Sequence, residues 1–365
     1  GGLIASLFFG KVPLSCHTWA MKILISLLFF IGLSSAYSQK FEYREAADVF
    51  QIVDQLSHWH GTQKEVLPRY WKKTLEVFPK DEELLKSYRE LRLKVHNSLK
   101  VSEEESIFGS SYGRLDFFSH AFYSSKSVGQ ALKKLQKKLT QEEIKFLVEF
   151  FNHFKSRISI MAKESTLFRG QLKGLNKVAG KQKLKRNIKG VKKFLGLKGR
   201  KKTQLLLAWW PKDQKPWVHV QGNFIVYHTH PHWDVSDFDG GYLLEELTVS
   251  YLTLMGANNK KNYSKKFLDR CPISKKMKTE LILSRPLAVV LGRILPEVGL
   301  KRKHFTLEKE GNLHPWVQTY SKLLFPTVQR LQKKRDGIQG LFITQAASAC
   351  RDLMVLKDYF KAFNL

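Results

Sequence analysis

Cysteine is almost missing from this 365-residue sequence: of three, Cys16 lies before the first methionine, Met21, which leaves Cys271 and Cys350. Two cysteines exclude a cysteine-based metal framework and allow one disulfide in an oxidising compartment, their separation in space being open. Acidic residues are absent from a whole segment, since none lies between Glu164 and Asp213. Absent as well are a phosphate loop, a dinucleotide fingerprint, a serine nucleophile elbow and a cysteine/histidine pair, so the sequence offers no motif of these nucleotide-binding or hydrolytic classes. No internal repeat is visible, and beyond residue 38 no apolar run reaches the roughly 18 to 20 residues that span a bilayer.

What is present begins at Met21. The segment "MKILISLLFFIGLSSAYSQ" has one lysine, an apolar run from Ile23 to Leu33 and a small-residue end at Ala36-Tyr37-Ser38. That is the pattern of a signal peptide over residues 21–38, cleaved near Ser38, which predicts a periplasmic or secreted protein. Residues 1–20 read as upstream sequence outside the native product. The remainder is long enough for one large or two moderate domains. We expect an N-terminal helical region over 39–139 and an α+β region over 140–365.

The charge is strongly one-sided: 62 Lys and Arg face 32 Asp and Glu, a formal net charge of +30. Much of the excess falls in residues 173–202, where Lys173, Lys177, Lys181, Lys183, Lys185, Arg186, Lys189, Lys192, Lys193, Lys198, Arg200, Lys201 and Lys202 follow one another. Such a run is either a solvated face or an interaction segment for an anionic polymer or membrane surface. Nucleic acid fits less well, because aromatic residues are not interleaved with the cations and no recognition module accompanies them.

Apolar residues recur at three and four from Tyr43 to Leu56, and helical patterns follow at Tyr70–Val77, Lys80–His96 and Ser127–Leu139. "TQEE" at Thr140 supplies a capping threonine with Glu143 three residues on, opening a core helix through Leu147, Phe151, Phe154, Ile158 and Met161. "TQLLLAWWP" and "WVHVQGNFIVYH" read as two strands of a small antiparallel sheet, separated by the turn-forming "KDQKP". Helix returns at Tyr242–Met255, around Pro286, at Pro315–Lys334 and at Leu341–Phe363. The fold class is α+β, mainly helical around a short sheet.

In "VYHTHPHWDVSDFDGG", His228, His230 and His232 alternate, so on a strand they would share one face and could supply zinc ligands. Pro231 favours a strand followed by a turn. "HTHP" followed by "SDFD" resembles the zinc motif of JAMM-type (MPN domain) isopeptidases. The resemblance implies zinc on His228, His230 and Asp239, an oxygen held by Ser236, and water activated by an upstream acid such as Glu164. The Pro231-to-Ser236 gap is shorter than in that family, and the long helical flanks are foreign to it. "HWH" at His58–His60 is a weaker metal candidate, read as a helix end.

A longer likeness runs through the order of the parts: helices, a long helix, a strand pair, the helix "YLLEELTVSYL" and helices behind it. This order resembles secreted bacterial gluzincin-type zinc peptidases, whose active helix carries His-Glu-x-x-His and whose later helix adds an acidic ligand. Laid on that motif, Glu245 stands for the first histidine, Glu246 for the catalytic glutamate, Val249 for the second histidine and Arg285 for the acidic ligand. The resemblance therefore implies a metallopeptidase-like scaffold with its zinc centre dismantled and Glu246 beside Arg285 in an ion pair. The expectation is an exported, basic, non-catalytic binding protein with no cofactor. Its anion-binding residues would be Lys183, Lys185, Arg186, Lys189, Lys192, Lys193, Arg200, Lys201 and Lys202. The alternative is a zinc peptidase or isopeptidase built on His228, His230, His232 and Asp239.

Overall fold

The strand β1, Phe41–Tyr43, is the first element of the described residues and is followed by helices α1, Glu45–Ser57, α2, Val66–Thr74, and α3, Pro79–Asn97. The structure, a computed structural model, describes residues 40–59, 65–99, 107–108, 115–197, 202–271, 282–298 and 313–362. The expected signal peptide, His60, Lys198, Arg200 and Lys201 lie outside the described residues. From Lys40 onward the chain forms one compact unit. Among the described residues no helix is long and apolar enough to cross a membrane.

Helix starts are set by local chemistry. Pro79 takes the first position of α3, where its missing N–H costs nothing, and Asp81 accepts from the Phe78 amide. Asp116 caps α4, Phe117–Tyr123, by accepting from the Ser119 amide, and Ser127 caps α5, Val128–Leu135. The long helix α6, Gln141–Ser165, has the reciprocal cap: Thr140 Oγ1 accepts from the Glu143 amide at 3.2 Å while Glu143 accepts from the Thr140 amide at 2.9 Å.

The helices before residue 139 share a core with those after it. Arg92 of α3, fully buried, bridges Asp54 of α1 and the Asp116 cap, and its guanidinium lies 4.3 Å from the Trp59 ring centroid. Arg157 of α6 grips Asp81 through both nitrogens, with His153 beside it. Phe150 of α6 stacks on Tyr88 of α3 at 4.6 Å. A buried cation with carboxylates on both sides is tolerated because its donors are satisfied.

The acid-free segment folds as two amphipathic helices, α7, Phe168–Lys181, and α8, Leu184–Phe194, separated by Lys183 in the left-handed conformation at φ 55°. Leu175, Ala179, Leu184, Ile188, Val191 and Phe194 turn inward, at the three-and-four spacing of a buried stripe.

Strands β2, Gln204–Trp209, β3, Trp217–Gln221, and β4, Phe224–Thr229, complete a sheet of order β1-β2-β4-β3. The α+β, mainly helical expectation holds, but the sheet is mixed and not purely antiparallel. "WVHVQGNFIVYH" is itself a hairpin, β3 and β4, turning at Gly222 with φ 61°. β2 then lies beside β4, and parallel to it, with Leu206 opposite Val226. β1 adds parallel to β2 with Glu42 opposite Leu206. Every residue of β4 is buried, so both faces of this strand are covered and its apolar run is continuous. The outer edge of β1 is closed by Asn176 of α7, whose side chain accepts from the Phe41 amide at 2.7 Å and donates to its carbonyl.

Behind the sheet come α9, Gly240–Thr253, and α10, Ala257–Leu268. Helix α11, Ser284–Val289, runs into a π-helical turn, Val290–Ile294, before α12, Pro315–Lys333, and α13, Gly340–Ala362. Cys271, after α10, is disulfide-bonded to Cys350 of α13, and both are fully buried.

Candidate functional site

The alternating histidines separate where β4 ends. His228, the last but one residue of the strand, is buried with its ring stacked on Trp217 of the neighbouring strand, 4.1 Å between centroids and 14° between planes. The chain then turns, with the Trp233 amide donating to the His230 carbonyl. Gln171 of α7 pins this turn by donating to the carbonyls of Pro231 and Trp233. His230 is buried against Trp209, and His232 is exposed with its ring centroid 5.3 Å from that of His230. Asp239 points elsewhere, capping α9 by accepting from the Tyr242 amide at 2.9 Å. Ser236 is exposed next to Asp234.

The expected zinc ligands His228, His230 and Asp239 do not converge. Among the described residues no three His, Cys, Asp or Glu side chains come together to hold a metal, and His228 faces a tryptophan. The alternation suggests a shared face only while the strand lasts, and here it stops at Thr229.

His230 does meet Glu164, the acid singled out upstream. Its Nδ1 accepts from the His232 amide at 3.1 Å, which assigns the ring proton to Nε2, and Nε2 faces Glu164 Oε2 at 3.5 Å. The same carboxylate oxygen accepts from the Trp209 indole N–H at 2.8 Å. Glu164 thus sits near the C-terminal end of α6, oriented by a strand residue and facing a turn residue. Burial holds the His230 pKa below its ordinary value, with His232 and Lys212 adding to the effect and the Glu164 charge opposing it.

These groups form one wall of a cavity of about 570 Å³. Buried Trp209 and Pro211 and half-buried Tyr70 line its inner part, while Arg69, Lys73 and Lys212 stand exposed at its mouth. Burial and then the nearby Glu164 charge raise the Tyr70 phenol above its ordinary pKa, so it stays a neutral hydroxyl. Sequence reasoning did not assign this cavity. Tyr70, Trp209 and Lys212 carry no shared motif, and only the upstream-acid search reached Glu164.

The helix α9 carries the other expected site. Glu246 accepts from both terminal nitrogens of Arg285, and buried Glu245 accepts from Arg293 Nε with Arg285 Nη1 at 3.5 Å. Burial raises the Glu245 pKa against the pull of these two cations. Val249 is half-buried one turn on. Two carboxylates are answered by two guanidiniums, and both oxygens of Glu246 accept from Arg285.

Comparison with protein-family models, with curated proteins and with solved structures finds no match for this chain. Most of the remaining expected site residues lie on or between α7 and α8. Lys173, Lys177, Lys181, Lys183, Lys185, Arg186, Lys189 and Lys193 are exposed, as is Lys202. Lys192 differs: it is half-buried, its ammonium 5.4 Å from the Tyr251 ring centroid.

Proposed function

We propose that this chain is an exported, non-catalytic binding protein that adheres to an anionic envelope polymer or surface through the outer faces of α7 and α8. One observation carries the reading: eight cations from Lys173 to Lys193 are exposed on and between two helices whose apolar residues are buried, with no acidic residue among them. Fixing those cations on a packed scaffold concentrates their potential where a flexible tail would disperse it. The Cys271–Cys350 bond supports export, since buried structural disulfides belong mainly to oxidising compartments. The Glu246–Arg285 pair supports a non-catalytic role for a peptidase-like scaffold, because both carboxylate oxygens of Glu246 are taken up by the guanidinium.

Titration with dextran sulfate tests this. Affinity should fall linearly with the logarithm of salt concentration. A Lys185→Gln, Lys189→Gln, Lys193→Gln variant should bind about tenfold more weakly, with a slope shallower by about one for each contacting lysine removed. Equal affinity in the variant would make these faces mere solvated surface.

A further inference from the structure

We propose that the cavity between α2, the end of α6 and the turn after β4 is a binding site for an acidic sugar, its carboxylate at the mouth and its hydroxyls on Glu164. The reading goes beyond polymer adhesion and uses none of the residues of α7 and α8. At about 570 Å³ the space is in the range of small-molecule sites.

The chemistry of the walls selects the ligand. Glu164 Oε2 already accepts from the Trp209 indole, with His230 Nε2 facing it, which fixes the carboxylate plane. The side chain is nonetheless 43% exposed, so acceptor capacity remains for hydroxyl donors entering the cavity. Tyr70, kept as a neutral phenol, can both donate and accept, the pairing a sugar hydroxyl requires. Trp209, Pro211 and Tyr70 add the apolar surface that meets the C–H face of a pyranose.

The mouth decides the charge. Arg69, Lys73 and Lys212 are exposed and form no ion pair with any described carboxylate; the same rim carries exposed Asp213 and Glu65, the latter facing His58 at 3.8 Å, so its cations outnumber its carboxylates. A neutral sugar would leave those three cations unused. A bare phosphate would reach them but be repelled by Glu164 farther in. A ligand with an anion at one end and hydroxyls at the other satisfies both. An amino acid would place its ammonium on Glu164, under the repulsion of the same three cations, which makes it the control.

Isothermal titration calorimetry on the full chain would use trigalacturonate, maltotriose and glutamate. Trigalacturonate should bind with a dissociation constant on the order of 1 mM or tighter, ahead of both others. Glu164→Gln retains an acceptor for the Trp209 indole and should fold with an unchanged melting temperature, yet bind trigalacturonate about tenfold or more weakly. An Arg69→Gln, Lys73→Gln variant, altered only at exposed positions, should lose the preference for trigalacturonate over maltotriose. Absence of trigalacturonate binding, undiminished binding by Glu164→Gln, or tighter binding of glutamate or maltotriose would each overturn the proposal. The dextran sulfate result has no bearing on it, so the two readings can fail separately.

Discussion

Asp48 shows how much a single buried carboxyl can shape behaviour. Fully buried in α1, it accepts from the Trp209 amide at 2.7 Å and from the Tyr43 hydroxyl at 3.1 Å, and no cation among the described residues pairs with it. Burial raises its pKa from 3.8 to about 6, the hydrogen bonds from Trp209, Ser165 and Tyr43 opposing the shift. The folded state therefore holds this proton more tightly than the unfolded chain. Its contribution to stability is fully present below pH 4 and is lost as pH rises through about 6. Asp48→Asn keeps the acceptor for Trp209 and carries no charge. In urea melts it should be more stable than the parent chain above pH 6, by on the order of 1–3 kcal/mol, with the gap closing toward pH 4. At this scale the sequence was uneven as a guide. Alternation brought His228, His230 and His232 to notice, but where the strand ends is a tertiary matter, and it sends His228 into the core and His230 to the cavity. Nothing local distinguishes Arg69, Lys73 or Tyr70 from other residues of an ordinary amphipathic helix.

Among the elements, α9 and the π-helical turn after α11 approach each other closely through their backbones. A Cβ added at Gly292 would lie 2.4 Å from the Glu245 nitrogen and 2.7 Å from its Cα, both rigid helix backbone. Gly292→Ala must push the two helices apart. That movement would also disturb Arg293 and Arg285 where they meet Glu245. The expected cost is about 3 kcal/mol or more in denaturant unfolding, at the upper end for overpacking because side-chain rotation gives no relief. A Gly190→Ala control, at an open position on α8, should be neutral or slightly stabilising. Elements were the most legible level in the sequence. The Thr140/Glu143 cap gives α6 its start because both partners lie within one turn. The basic run hid its two helices, since closely spaced lysines obscure the Leu184, Ile188, Val191 stripe among them. The strand partners stayed hidden for another reason: adjacency in sequence suggests a hairpin, whereas β2 bypasses β3 to lie beside β4.

For the whole molecule, the Cys271–Cys350 bond closes a loop with a sequence separation of 79 residues that includes α11 and α12. Loop-closure entropy assigns such a link about 4 kcal/mol, and reduction should lower the melting temperature by several degrees with the circular dichroism of the folded state unchanged. A Cys271→Ala, Cys350→Ala variant should reproduce the reduced protein and no longer respond to dithiothreitol. Two cysteines in the sequence permit this bond, but only the packing of α13 against α10 brings their Cα atoms to 5.9 Å.

The same long-range character governs the sheet. Phe41–Tyr43 pairs with Leu205–Leu207, and Asn176 closes the outer edge, so the first strand waits for partners more than 130 residues downstream. On a ribosome, Phe41–Tyr43 would emerge with no strand to pair with until Leu205–Leu207 had been made. Parallel pairing at such separation is slow to nucleate, because loop closure must be met before the contacts return anything. A chain arranged this way can close its sheet only after Phe224–Thr229 is available, so its folding rate should be set by that late pairing and not by its locally capped helices.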